Sequence, residues 1–207
     1  PEDVYHAFAI GGVDALNACK GFKEVPLGEG SVDFKAYLKA LEEVGYLEKA
    51  SNSNLDSKTA NAGKANYTKY ARDLDNIAGF YNGKKNGYAW CDVFVDWCFV
   101  QAFGPTAAMN LLQQPKKSYG AGCYYSAKYY KDKGQFYTNP KAGDQIFFWN
   151  SKKDDVAHTG LVYKVDETYV YTIEGNTDNY MVCQKSYAFD NEKLVGFAVP
   201  NYKTVEG

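Results

Sequence analysis

Phe34, Tyr37, Leu38, Leu41 and Val44 recur at steps of three and four residues, the spacing that lines one face of a helix. With Ser31 as a cap and Gly45 as a stop, the pattern predicts an amphipathic helix over 31–45. From 50 to 65 Ser, Asn, Lys and Gly dominate without a sustained period, which predicts a loop. Asn66 opens a second helix through about 75. After the polar turn cluster Asn82-Gly83-Lys84-Lys85-Asn86-Gly87, the residues Cys91, Phe94, Val95 and Cys98 mark one face of a third helix. It runs to about Phe103 and closes at Gly104-Pro105, and two short helices follow at roughly 106–113 and 125–133. Beyond Pro140 the pattern changes to segments rich in Val, Ile, Tyr and Phe, predicting strands at 144–150, 158–165, 169–175, 181–189 and 194–199. Helices first and an antiparallel meander second predict an α+β domain with one helix packed across a sheet. There is no internal repeat and no low-complexity tract.

Composition narrows the function classes. A chain of 207 residues has room for one full core and a small appendage. Its net charge of -2, with both signs scattered, leaves no basic stripe for a phosphate backbone, so nucleic acid is excluded as a partner. No apolar run of about 18 residues spans a membrane. The chain starts at Pro1 with neither a basic start nor an apolar signal core, as expected of a processed or excerpted chain. Action as a monomer is expected. The 19 Tyr, 12 Phe and 3 Trp suit core packing as well as sugar or peptide grooves.

Five cysteines (Cys19, Cys91, Cys98, Cys123, Cys183) form no C-x-x-C pair, and with only His6 and His158 the usual zinc spacings are absent. No metal and no cofactor are expected. An odd cysteine count leaves at least one free thiol, and Cys98 and Cys123 are expected to be reduced or merely buried. Cys91 falls in the first turn of its predicted helix, where unpaired N–H groups and the positive end of the macrodipole favour a thiolate. Beside an imidazolium a thiol pKa can fall from about 8.5 to roughly 3.5–7.5. Set against this, Cys91 could be one more buried cysteine like Cys98 on the same face.

The 158–165 and 169–175 segments read as a hairpin. A three-residue loop of Asp166-Glu167-Thr168 would put His158 directly across from Asn176, with Glu174 a diagonal step away on the same face. A His oriented by a carboxylate or amide, together with a cysteine at a helix start, is the set that a cysteine hydrolase needs. A loop of two or four residues would change the parity and remove that alignment. No G-x-S-x-G elbow, H-E-x-x-H helix or phosphate-binding glycine loop occurs, and Asp154-Asp155 reads as a solvated turn.

Over about 46–202 the chain resembles the CHAP family, the cysteine- and histidine-dependent amidohydrolases/peptidases of phage endolysins and bacterial wall hydrolases. The resemblance rests on Trp90-Cys91-Asp92-Val93-Phe94-Val95, on Gly143-Asp144-Gln145-Ile146-Phe147-Phe148 leading to His158-Thr159-Gly160-Leu161-Val162, and on Glu174-Gly175-Asn176. It implies a papain-like core in which Cys91 attacks, His158 transfers the proton, and Glu174 and Asn176 orient the ring. Tyr88, Trp90 and Trp149 are the expected substrate contacts. Some members bind calcium through an acidic loop before the cysteine; here that position reads Lys84-Lys85-Asn86-Gly87, so no calcium is expected there.

The activity implied is amide cleavage in bacterial peptidoglycan, as an N-acetylmuramoyl-L-alanine amidase or an endopeptidase, outside the cell at the wall. A protease or deamidase acting on soluble protein, and an inactive wall-binding module, are the alternatives. Residues 1–46 resemble the last βα unit of a sugar-phosphate isomerase/epimerase barrel, far short of the eight units that fold requires. The expected organisation is therefore an appendage over 1–46, with helix 31–45 docked on the hydrolase, and a catalytic domain over 47–207.

Overall fold

A computed structural model describes residues 32–178 and 180–205. The proposed Ser31 cap and the barrel-like reading of residues 1–31, with Cys19 and His6, lie outside the described residues. A 3-10 turn, Val32–Phe34, leads into α1 (Lys35–Glu42). Then come α2 (Lys69–Asp75), α3 (Cys91–Phe103), α4 (Pro105–Leu111) and α5 (Cys123–Asp132). Six antiparallel strands follow: β1 (Phe136–Tyr137), β2 (Gln145–Asn150), β3 (Asp155–Val165), β4 (Tyr169–Thr177), β5 (Met181–Ala188) and β6 (Leu194–Ala198). They form one sheet in the order β1-β6-β2-β3-β4-β5. This is the expected α+β architecture, consistent with a papain-like core.

Every residue of α3 from Cys91 to Val100 is buried. A helix apolar all round needs partners on all sides, and α3 has them: β3 and β4 across one face, α1, α2 and α4 on others. Helix α1 buries Ala36, Tyr37 and Ala40 in this same core. Tyr46, just past Gly45, is fully buried; its hydroxyl donates to the Leu55 carbonyl at 2.7 Å and accepts from the Lys69 N–H at 3.0 Å. The hydrophobic core thus runs without a break across position 46. On the outer face of the sheet a smaller cluster gathers Ile146, Phe148, Val162, Val170 and Phe197.

Several boundaries differ from those expected, for identifiable reasons. Asn66 has a left-handed backbone (φ 58°) and cannot start a helix; Thr68 caps α2 instead, its Oγ1 accepting from the Ala71 N–H at 3.1 Å. Helix α5 begins at Cys123, two residues early, and β1 pairs with β6 through only two residues, too short for a periodic signal.

In the β3–β4 hairpin, Leu161 faces Ile173 and Val162 faces Thr172, the register that the expected loop requires. Nearer the turn, Lys164 faces Tyr171 and Val165 faces Val170, one position out of step. A bulge between Val162 and Lys164 absorbs the difference. The parity that matters for the site is therefore restored by the bulge and not by the loop alone.

Candidate active site

Cys91 is the first residue of α3, directly after the cap position Trp90. Its sulfur therefore stands where the helix's unpaired N–H groups converge, and the Asp92 backbone N–H is one of its partners. A second sulfur lies beside it: Cys123, the first residue of α5, has its Sγ 3.5 Å away.

His158 lies on β3 opposite Phe148. Its Nε2 is 2.8 Å from Oε2 of Glu174. With Nε2 so engaged, Nδ1 is the nitrogen left to face Cys91, whose influence raises the imidazole. Glu174 is completely buried, which a carboxylate tolerates only when its oxygens are satisfied. Thr172 donates to its Oε1 at 2.5 Å and Tyr187 donates to Oε2 at 3.2 Å. The carboxylate is thereby fixed before it meets the ring.

Two glycines bring these parts together. A Cβ on Gly160 would stand 2.5 Å from Cγ of Glu174, so its absence makes room for that side chain beside His158. A Cβ on Gly175 would stand 2.7 Å from the Trp90 ring and 2.8 Å from Cβ of Phe94. Only a bare backbone lets β4 lie this close to the start of α3.

A buried bridge ties the neighbour of Cys91 to the neighbour of His158. Gln145 Nε2 donates to Asp92 Oδ1 at 2.8 Å and to Thr159 Oγ1 at 3.0 Å, and the Thr159 hydroxyl donates to the Ile146 carbonyl at 2.7 Å. Because Asp92 follows Cys91 and Thr159 follows His158, this bridge sets the distance between helix and strand. Burial, with the nearby Asp96 and Cys91, pushes the Asp92 carboxyl well above the usual range, so it is held neutral.

The electrostatics of the pair run the other way. The hydrogen bond from Cys123 lowers the Cys91 thiol, burial opposes it, and the His158 hydrogen bond and charge lower it further; the net result lies well below the ordinary thiol value. Burial pulls the His158 imidazole down, but its bonds to Cys91 and Glu174 outweigh that and lift it to about 10. Burial and the Cys91 contact hold Cys123 well above its ordinary value. Cys123 thus keeps its proton and donates it toward Cys91. The arrangement is a thiolate–imidazolium pair, able to attack a carbonyl and then deliver a proton.

Among the residues singled out from sequence, Cys91, His158 and Glu174 meet. Asn176 lies one strand position beyond, with φ 56° at a register shift between β4 and β5. Among the described residues no side-chain hydrogen bond joins it to the ring, whose Nε2 is engaged by Glu174. Trp90 is fully buried, its indole N–H donating to Glu48 at 2.8 Å amid Tyr46, Tyr70 and Phe94. It packs the helix start and leaves no exposed surface of its own. Tyr88 and Trp149 are exposed, 67% and 40% respectively. Tyr88 lines a cleft of about 340 Å³ with Lys84, Lys85, Ala89, Tyr119, Ala121, Gly122 and Tyr125. The sequence reading gave no place at the site to Cys123, Thr172, Tyr187 or the Gln145 bridge. The early start of α5 was the missed signal for Cys123; the others become visible only once strands are paired. Among the described residues no helix is long and apolar enough to cross a membrane, and no three His, Cys, Asp or Glu side chains gather as a metal site.

No curated protein matches the chain. Among solved structures it is similar to the crystal structure of Ly7917, at 13% identity and a TM-score of 0.41, over 66% of this chain and 58% of that one. It is similarly close to Ly7917 with the hydrolyzing product of MDP, at 11% identity and a TM-score of 0.41, over 63% of this chain and 60% of that one. The chain thus spans about three fifths of the length of these structures. The CHAP domain model matches residues 83–176, from the turn before α3 through β4. That span, which is similar to the CHAP domain, contains Cys91, His158, Glu174 and Asn176.

Proposed function

We propose that this chain is a peptidoglycan hydrolase that cleaves an amide bond of the wall peptide, as an N-acetylmuramoyl-L-alanine amidase or an endopeptidase, with Cys91 as nucleophile. The observation that carries the proposal is the Cys91–His158–Glu174 arrangement at the start of α3, with the thiol lowered and the imidazole raised. In the first step the Cys91 thiolate attacks the amide carbonyl, and the Cys91 backbone N–H at the helix start is one donor for the oxyanion. His158 gives its proton to the leaving amine, which breaks the C–N bond and leaves a thioester. His158 then takes a proton from water, and the hydroxide releases the new carboxylate. Glu174 holds the ring throughout. The steps need no cofactor.

The cleft beside Cys91 suits a wall fragment. Tyr88, Tyr119 and Tyr125 offer ring faces, with the latter two rings 5.1 Å apart, and Lys84 and Lys85 supply positive charge. Sugars stack on such rings, and the free carboxylates of wall peptides pair with such lysines. The site of action this implies is the cell wall, outside the cell.

Digestion of purified peptidoglycan, followed by identification of the new ends, tests the reading. New amino groups are expected, and whether the matching new carboxyl is on the muramic acid or on an amino acid distinguishes amidase from endopeptidase. New reducing sugars, or an intact wall beside rapid cleavage of soluble protein, would overturn it.

A further inference from the structure

The contact between Cys91 and Cys123 goes beyond what amide hydrolysis needs. Helices α3 and α5 each begin with a cysteine, and the two sulfurs meet at 3.5 Å. Both thiols are buried, at 7% and 6% exposure. The open cleft comes close to them along the chain, because it is lined by Ala89, two residues before Cys91, and by Ala121 and Gly122, directly before Cys123. A disulfide requires the sulfurs to close to about 2.05 Å, a movement of roughly 1.5 Å shared between two side chains. Cys98 is also buried on α3, but it packs in the hydrophobic core, and among the described residues no second sulfur is bonded to it.

We propose that Cys91 and Cys123 form a peroxide-sensitive dithiol that closes to a disulfide and switches the nucleophile off, with Cys123 as the resolving cysteine. The proposal rests on the assignment of Cys91 as the nucleophile. In the first step the Cys91 thiolate attacks one oxygen of hydrogen peroxide, forming an S–O bond, breaking the O–O bond and releasing hydroxide; the sulfur is oxidised and the peroxide reduced. In the second step the Cys123 sulfur attacks the Cys91 sulfenic acid. An S–S bond forms, the S–O bond breaks, and the departing hydroxyl leaves as water with the Cys123 proton. A dithiol reductant reverses the change by exchange. The lowered Cys91 thiol makes it the first to react, and the neighbouring sulfur traps the sulfenic acid before further oxidation.

The test is peptide mapping of the native protein after brief peroxide treatment, for the parent, Cys98→Ala and Cys123→Ala. A Cys91–Cys123 linked peptide, lighter by two hydrogens, is expected in the parent and in Cys98→Ala, with complete loss of Cys91 alkylation that dithiothreitol restores. In Cys123→Ala the expected product is Cys91 carrying added oxygens and no link. Because the parent and Cys98→Ala suffice, a folding defect in Cys123→Ala leaves the test intact. Cys91 oxidised to the sulfinic level in the parent without a link, or both thiols left free, would overturn the proposal. The readout uses no wall substrate, so a failed wall digestion and a failed switch are separate results.

Discussion

Gln145 joins the residue after Cys91 to the residue after His158: its amide nitrogen lies 2.8 Å from Asp92 and 3.0 Å from Thr159. The geometry of Cys91 and His158 therefore depends on a buried polar link that takes no part in the chemistry, and Asp92 enters it as a neutral carboxyl. Asp92→Asn preserves size and neutrality, so its activity and stability should stay near those of the parent. Asp92→Ala leaves the Gln145 amide unpaired in the core and should cost about 1–3 kcal/mol in chemical denaturation. The raised carboxyl takes up a proton on folding, so its contribution to stability is present at low pH and lost as pH rises from the ordinary carboxylate range toward its folded value. Asp92→Asn should flatten that part of the stability–pH profile. Equal damage from both variants would show that Asp92 acts as an anion.

The thiolate–imidazolium pair predicts the pH dependence of Cys91 alkylation. A lowered thiol gives stability that is present above the ordinary thiol value and lost as pH falls through the depressed one. An imidazole raised from 6.5 to about 10 gives stability that is present below 6.5 and lost as pH rises through about 10. Iodoacetamide labelling of Cys91 should persist well below the pH at which ordinary thiols fall silent, with a second inflection near 10. A single inflection at the ordinary thiol value would contradict the pair.

Glu174 touches the base and no substrate, so Glu174→Gln should act through His158. Loss of the anion weakens the imidazolium, and the alkaline inflection should move down while kcat falls on the order of 10²-fold or more. KM should change little. An unmoved inflection would show that the buried carboxylate serves packing alone.

Gly175→Ala places a methyl against Trp90 and Phe94 at 2.7 and 2.8 Å. It should cost on the order of 1–3 kcal/mol by thermal or chemical unfolding and lower kcat by moving β4 away from α3. Trp90→Phe, which removes the bond to Glu48, should lower stability and leave KM unchanged. A large KM effect from Trp90→Phe would return this residue to the substrate groove.

The helix and strand pattern was legible because α1, α3 and the long strands carry strong periods, and Cys91, His158 and Glu174 could be assembled from position in those elements. What could not be read was non-periodic. Thr68 took the cap from Asn66 because a left-handed residue ends a path instead of opening a helix. The hairpin register held at Leu161 only because a bulge corrected an offset at the turn, a compensation invisible in residue spacing. Asn176 was placed by that same ideal register, and it lies where the β4–β5 pairing shifts, with a left-handed backbone that spacing does not reveal. Trp90 was expected among the substrate contacts, yet a residue at the cap of a buried helix is itself buried.

The most direct measurement is release of new amino ends from purified peptidoglycan by the parent chain, Cys91→Ala and Cys98→Ala side by side. Release by the parent and by Cys98→Ala, with none from Cys91→Ala, is the predicted result. Equal release by Cys91→Ala would contradict the assignment of the nucleophile and the mechanism built on it.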